Sequence, residues 1–194
     1  MRRSVKKVIG VTVPTVLFLA LVIPYVYVIH DIDGLRLEAS LDQATVVEGN
    51  DIYGTITEQN MLLVTNDLPL LGNWRASLST DGCGSFFNTA YGLGLYEGRY
   101  TAENVSTAKS MMIYPPSGPH CPAMVCANSI RFRPLQTIGS SLSLGGYWTE
   151  NTTTHTDGSV TYGTLHPFVP GTYTLAVADQ WGRLILRYFK VLAR

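Results

Sequence analysis

Two patterns of hydrophobic and polar positions divide this chain. From Val8 to Ile29 the sequence reads VIGVTVPTVLFLALVIPYVYVI without a charged residue, and at helical rise those residues reach roughly 33 Å, enough for a hydrocarbon core of about 30 Å. The run predicts a transmembrane helix. Pro14 and Pro24 fit it, because packing partners and waters satisfy the carbonyls a proline frees, and they predict a kink near Val22 or Ile23. From Asp31 onward no stretch sustains apolar spacing of three and four, and alternation with period two takes over, the mark of half-buried strands. Leu35, Leu37, Ala39 and Leu41 point one way while Arg36, Glu38 and Ser40 point the other. Ile52, Gly54 and Ile56 alternate with Tyr53, Thr55 and Thr57, and Ile130 and Phe132 alternate with Arg131 and Arg133.

Turn clusters at Glu48–Asp51, Thr80–Gly82, Glu97–Gly98, Thr156–Gly158 and Asp179–Gly182 punctuate these segments. Many short strands with frequent turns predict an all-β sandwich or barrel. Pro115, Pro116, Pro119 and Pro122 exclude a central strand there and predict a rigid surface loop. The expected organisation is a basic tail at 1–7, the membrane span at 8–29, a short linker at 30–34 and a β-sandwich over 35–194, as one sandwich with long loops or two small ones.

The end of the chain carries the most specific pattern. Pro170-Gly171 turns the chain into a strand in which Tyr173, Leu175 and Val177 share one face. This resembles the tyrosine corner of immunoglobulin-like sandwiches, in which a Tyr opens the penultimate strand and its hydroxyl bonds back to an upstream backbone group. Residues 184–192 follow as the closing strand, where Arg187 interrupts one parity and Lys190 the other, so neither face reads as core. The ending PGTYTLAVADQWG, followed by a strand closing in FKV, with a cysteine-proline loop before it and an N-terminal anchor, resembles membrane-anchored or secreted β-sandwich proteins of archaea. That resemblance implies an immunoglobulin-like antiparallel fold and an anchor. It carries no catalytic or binding residue to this chain.

Charge changes the picture by fixing an orientation. Arg2, Arg3, Lys6 and Lys7 precede the apolar run and Asp31 and Asp33 follow it, which predicts a cytoplasmic N-terminus and an extracytoplasmic remainder. A cleaved signal peptide should have an apolar region of about 7 to 15 residues ending at a small-x-small site. This run is longer and ends in Tyr-Val-Tyr-Val-Ile-His, so an uncleaved signal anchor is expected in the cell membrane. With the four N-terminal cations set apart, ten of the 14 basic residues remain against 14 acidic ones. The outer portion is mildly acidic and lacks the basic footprint that phosphate-backbone binding needs, which excludes nucleic acid as a partner. Hydrophobic residues at 46% exclude a disordered chain. Asn104-Val105-Ser106 and Asn151-Thr152-Thr153 are glycosylation candidates of an exported chain.

Candidate chemistry centres on three cysteines, Cys83, Cys121 and Cys126, all on the oxidising side. Loop closure favours a bridge from Cys83, about 4 kcal/mol in the entropic model, over the short Cys121–Cys126 bridge at about 2. Cys121 is the expected partner of Cys83 and Cys126 the alternative. The rival use of the same loop is a metal, because His120, Cys121, Met124 and Cys126 gather soft ligands suited to Cu(I). The spacing matches no zinc pattern, and no second ligand pair follows. His155 and His166 stand eleven apart in a Thr-rich segment and read as solvated. No Gly-x-Ser-x-Gly elbow, His-Glu-x-x-His pair or phosphate-cradling loop occurs, and Asp81 and Asp157, each before a glycine, are explained as turn residues. Trp74, Trp148 and Trp181 with Tyr147 could supply an exposed aromatic contact, with Trp181, in a hairpin turn, the one expected outside. The expected function is a membrane-anchored binding, adhesion or accessory subunit without catalysis or cofactor, its partner another membrane or cell-surface protein. A copper-handling or redox domain is the alternative.

Overall fold

The computed structural model describes residues 34–77, 90–114, 129–154 and 160–194. The apolar run 8–29, all three cysteines, His120, Met124 and His155 lie outside them, and among the described residues no helix is long and apolar enough to cross a membrane. The described chain is nearly all β. Its strands are β1 (Leu35–Leu41), β2 (Thr45–Val47), β3 (Ile52–Asn60), β4 (Asn66–Pro69), β5 (Tyr91–Glu97), β6 (Met112–Tyr114), β7 (Ser129–Phe132), β8 (Thr137–Leu144), β9 (Tyr147–Thr149), β10 (Thr152–Thr154), β11 (Val160–Tyr162), β12 (Leu165–Pro167), β13 (Gly171–Asp179) and β14 (Leu184–Leu192).

The alternation seen in the sequence builds the first layer. Leu35, Leu37 and Ala39 of β1 are buried while Arg36, Glu38 and Ser40 are exposed. In β3 the inward set is Ile52, Gly54, Ile56, Glu58 and Asn60, two positions longer than the apolar pattern suggested. β3 pairs antiparallel with β1 and with β8, placing Leu37 opposite Glu58 and Ile52 opposite Leu144. After Leu41 the chain crosses to the second layer, where β2 runs parallel to the end of β14 in the order β2-β14-β13-β5. Ile52, Ile56, Leu142 and Leu144 from one layer meet Leu95, Tyr173, Leu175, Val177 and Phe189 from the other in the main core. Two faces that each bury one side of a pleated sheet make a two-layer sandwich. Small ribbons, β4–β7, β10–β11 and β6–β9–β12, decorate it.

The ambiguous closing strand is explained by burial on both faces. Phe189 and Val191 enter the main core on the parity that includes Arg187. The guanidinium of Arg187 reaches out of that row and donates from Nε to the Ala39 carbonyl at 2.7 Å. On the other face Leu184 and Leu186, together with Ala176 and Ala178 of β13, pack under Trp74, Ala76, Tyr96, Tyr100 and Val105. The segments 73–77 and 99–108 therefore form a third cover over the second sheet. A strand covered twice has no polar parity to read.

Tyr173 opens β13 in full burial, stacked on Phe189 at 5.4 Å, and its hydroxyl donates to the Val169 carbonyl at 2.8 Å. Burial, with the charge of Glu97 adding to it, pushes its phenol up to about 12. Tyr173→Phe is expected to cost about 1 to 3 kcal/mol, since the Val169 carbonyl loses its partner. Urea denaturation measures it, and an unchanged midpoint would mean the bond contributes nothing.

Candidate functional site

The strands run lengthwise between two ends. At one end β1 begins next to Gly34, and the β13–β14 hairpin turns back through Asp179–Arg183. At the other lie the β2–β3 turn, the start of β9, the segment between β12 and β13, and the end of β14. A nine-residue strand separates them by about 30 Å.

The end far from Gly34 carries an apolar rim. Val47 and Leu192 are register partners across β2 and β14, and both are exposed. Beside them, Glu48 N–H donates to the Leu192 carbonyl, and Gly49 adopts a φ of +81°, open to glycine without strain. A Cβ at Gly49 would stand 3.3 Å from the Tyr147 hydroxyl, so the turn and the Tyr147 side chain are in close approach. Tyr147 is exposed and pairs with Pro167, while Leu165 and Val169 on either side of it are exposed as well. Trp148 is half-buried with its ring 5.2 Å from that of His166. Such a rim, apolar with one phenol hydroxyl, suits contact with another protein surface.

The opposite end holds a buried charge cluster that the sequence pattern did not disclose. Asp179 accepts from the Trp181 and Arg183 amides at 2.9 and 2.8 Å and from Arg183 Nη1 at 2.7 Å, so one carboxylate organises the whole hairpin. Gly182, at φ +92°, completes that turn. Glu58 points inward from β3 toward the same guanidinium, whose Nη1 stands 3.6 Å from Oε1, beyond hydrogen-bond range. Neither oxygen of Glu58 has a hydrogen-bond partner among the described residues. One cation is shared by two buried carboxylates, and Asp179 takes the better geometry. Desolvation first, then repulsion from Asp179, raise the Glu58 carboxyl to about 8 against the opposing pull of Arg183. Burial and Asp179 thus favour the protonated form of Glu58. Its side chain is wholly closed to solvent.

Among the described residues no three His, Cys, Asp or Glu side chains gather closely enough to hold a metal. The proposed copper ligands His120, Cys121, Met124 and Cys126, and the proposed Cys83 bridge, lie outside the described residues. The acceptor asparagines of both sequons are exposed: Asn104 uses its side-chain oxygen to accept the Thr101 amide at 2.7 Å, and the Asn151 carbonyl accepts from Gly163 N–H. Trp181 corrects the expectation of exposure, because only 2% of it is accessible. The loop after β4 folds over it, its indole Nε1 donates to the Pro69 carbonyl at 2.8 Å, and Phe132 meets it edge-on. Tyr147 is the aromatic that stands outside instead. Glu58 was open to detection, since extending the parity Ile52, Gly54, Ile56 by one step puts a carboxylate in the core.

No protein-family model and no curated protein matches the chain. Among solved structures it is similar to a β-glucosidase from Erythrobacter marinus, at 8% identity and TM-score 0.40 over 81% of this chain and 15% of that one. It is similar also to a β-glucosidase from Listeria innocua, at 10% identity and TM-score 0.37 over 81% of this chain and 16% of that one. The chain thus spans a small fraction of the length of the enzymes it matches.

Proposed function

We propose that this is a single-pass membrane protein, N-terminus cytoplasmic, that holds an immunoglobulin-like sandwich outside the membrane as a binding, adhesion or accessory subunit. The strand order supports the fold part of this reading: β1, β3 and β8 take the places of strands A, B and E, and β5, β13 and β14 those of C, F and G. Tyr173 near the start of β13, bonded four residues upstream, supports a tyrosine corner. The observation that carries the functional part is the exposed rim at the end away from Gly34. The chain comes in from the apolar run at the Gly34 end, and the rim of Val47, Tyr147, Leu165, Val169 and Leu192 faces away from it. A sandwich tethered at the Gly34 end leaves the rim at its other end free to meet a protein of the same surface.

The experiment is site-specific photo-crosslinking of the full chain in its native membrane. A photoreactive residue in place of Tyr147 is expected to give a discrete adduct with one membrane or cell-surface protein, and the same residue in place of exposed Ser141 on β8 is expected to give none. Equal, diffuse labelling from both positions would overturn the rim as a binding surface. Protease added to sealed, right-side-out cells should remove the sandwich, and protection of Arg194 would reverse the orientation.

A further inference from the structure

We infer that the loops Met61–Thr65 and Arg133–Gln136 form a foot that rests on the lipid surface, a reading that builds on the membrane anchor proposed above. Leu63, Val64 and Leu135 are 67, 52 and 52% exposed, among the most accessible large apolar side chains described. All three belong to the end at which β1 begins. The Met61 amide donates to the Gly34 carbonyl at 2.8 Å, and the Leu135 amide donates to the Leu62 carbonyl at 3.1 Å, so both loops border the point where the chain arrives.

These are not slack loops. Asn60, fully buried, donates from Nδ2 to the carbonyls of Val64 and Arg133 at 3.0 and 2.9 Å and accepts the Leu62 amide at 3.0 Å. The Arg133 amide donates to the side-chain oxygen of Gln136 at 2.7 Å. One buried amide thus ties the two loops together and holds their apolar tips outward. Leu135 sits at φ +54°, a left-handed conformation that ordinarily belongs to Gly or Asn. A branched apolar residue in that place, exposed, is the reverse of what a solvated turn selects. Exposed Arg133 beside it supplies a cation for anionic headgroups.

The occupant follows from the chain that precedes Gly34. Four residues, 30–33, separate Ile29 at the end of the apolar run from Gly34, and five peptide steps reach at most about 17 Å. The polar headgroup layer takes up about 6 Å of that distance. A folded partner does not fit in the remaining gap, whereas side chains that project from the foot meet the interface directly. Leu63, Val64 and Leu135 are the tips that would enter the headgroup boundary.

The test uses the full chain reconstituted into vesicles of neutral and anionic phospholipid, with a fluorescent amino acid at position 63, 135 or, as control, 141. The expected result is quenching by brominated lipid and loss of quenching by aqueous iodide at 63 and 135, with the opposite at 141. If the chain floats with the vesicles while probes at 63 and 135 remain open to iodide, the foot is refuted and the anchor stands. If the chain fails to float with the vesicles, the anchor itself fails. Shielding at 63 that disappears on dilution with lipid and is indifferent to brominated lipid would assign the surface to a second copy of the chain, and would also overturn the foot.

Discussion

Glu58→Gln is expected to raise stability at pH 9 by about 3 to 5 kcal/mol and to change it by less than about 1 kcal/mol at pH 4.5. The carboxyl is raised from an ordinary 4.5 to about 8 in the folded chain by burial and by Asp179, so the native state holds a proton that the unfolded state releases. The contribution of neutral Glu58 is therefore complete below about pH 4.5. It declines as pH rises and is gone once pH has passed the folded value near 8, with a limiting slope of about 1.4 kcal/mol per pH unit. Glutamine keeps the shape and cannot ionise. Urea denaturation of the wild type and of Glu58→Gln from pH 4.5 to 9 gives two curves that should meet at the acidic end and diverge upward. Parallel curves across that range would mean that Glu58 is ionised in the native state and that Arg183 neutralises it despite the 3.6 Å separation.

The same residue shows how far the sequence could be read. The outward residues of β1 are wet, so its inward row was visible as Leu35, Leu37 and Ala39. The β3 row was visible through Ile56 and became hidden at Glu58 and Asn60, where side-chain type ceases to report burial. Only parity carries on, and it places both inside. The core polar groups then follow different fates. Asn60 satisfies its amide with three backbone bonds, while burial raises the Glu58 carboxyl and favours its protonated form. At β14 the reading stopped for another reason, because Leu184 and Leu186 are covered by segments from the 73–77 and 99–108 stretches, contacts between distant parts of the chain that leave no local period. The foot was equally silent in sequence. Leu63, Val64 and Leu135 are unremarkable apolar residues until Asn60 and the left-handed Leu135 fix them outward at the Gly34 end.

Trp181→Ala is expected to destabilise the sandwich by about 3 to 5 kcal/mol, the range for deleting a buried aromatic side chain. Trp181 fills a satellite core with Leu35, Leu68, Ala90 and Phe132, its ring 6.1 Å from that of Phe132, and it links the β13–β14 hairpin to the loop after β4. Trp181→Phe separates the two contributions, since it keeps most of the ring contact and leaves the Pro69 carbonyl without its donor, at about 1 to 2 kcal/mol. The damage should be local before it is global. Leu68 and Phe132 of the β4–β7 ribbon pack in one cluster with this indole, so hydrogen exchange at the amides of Leu68 and Ile130 should accelerate more than exchange at Leu175 or Val177 in the main core. A loss below about 1 kcal/mol with the ribbon still protected would return Trp181 to the solvent-facing turn that its place between Gln180 and Gly182 suggests. The expected outcome instead makes it the joint between the hairpin and the ribbon, at the same end of the sandwich as the foot, so that ribbon, hairpin and foot loosen together when the indole is removed.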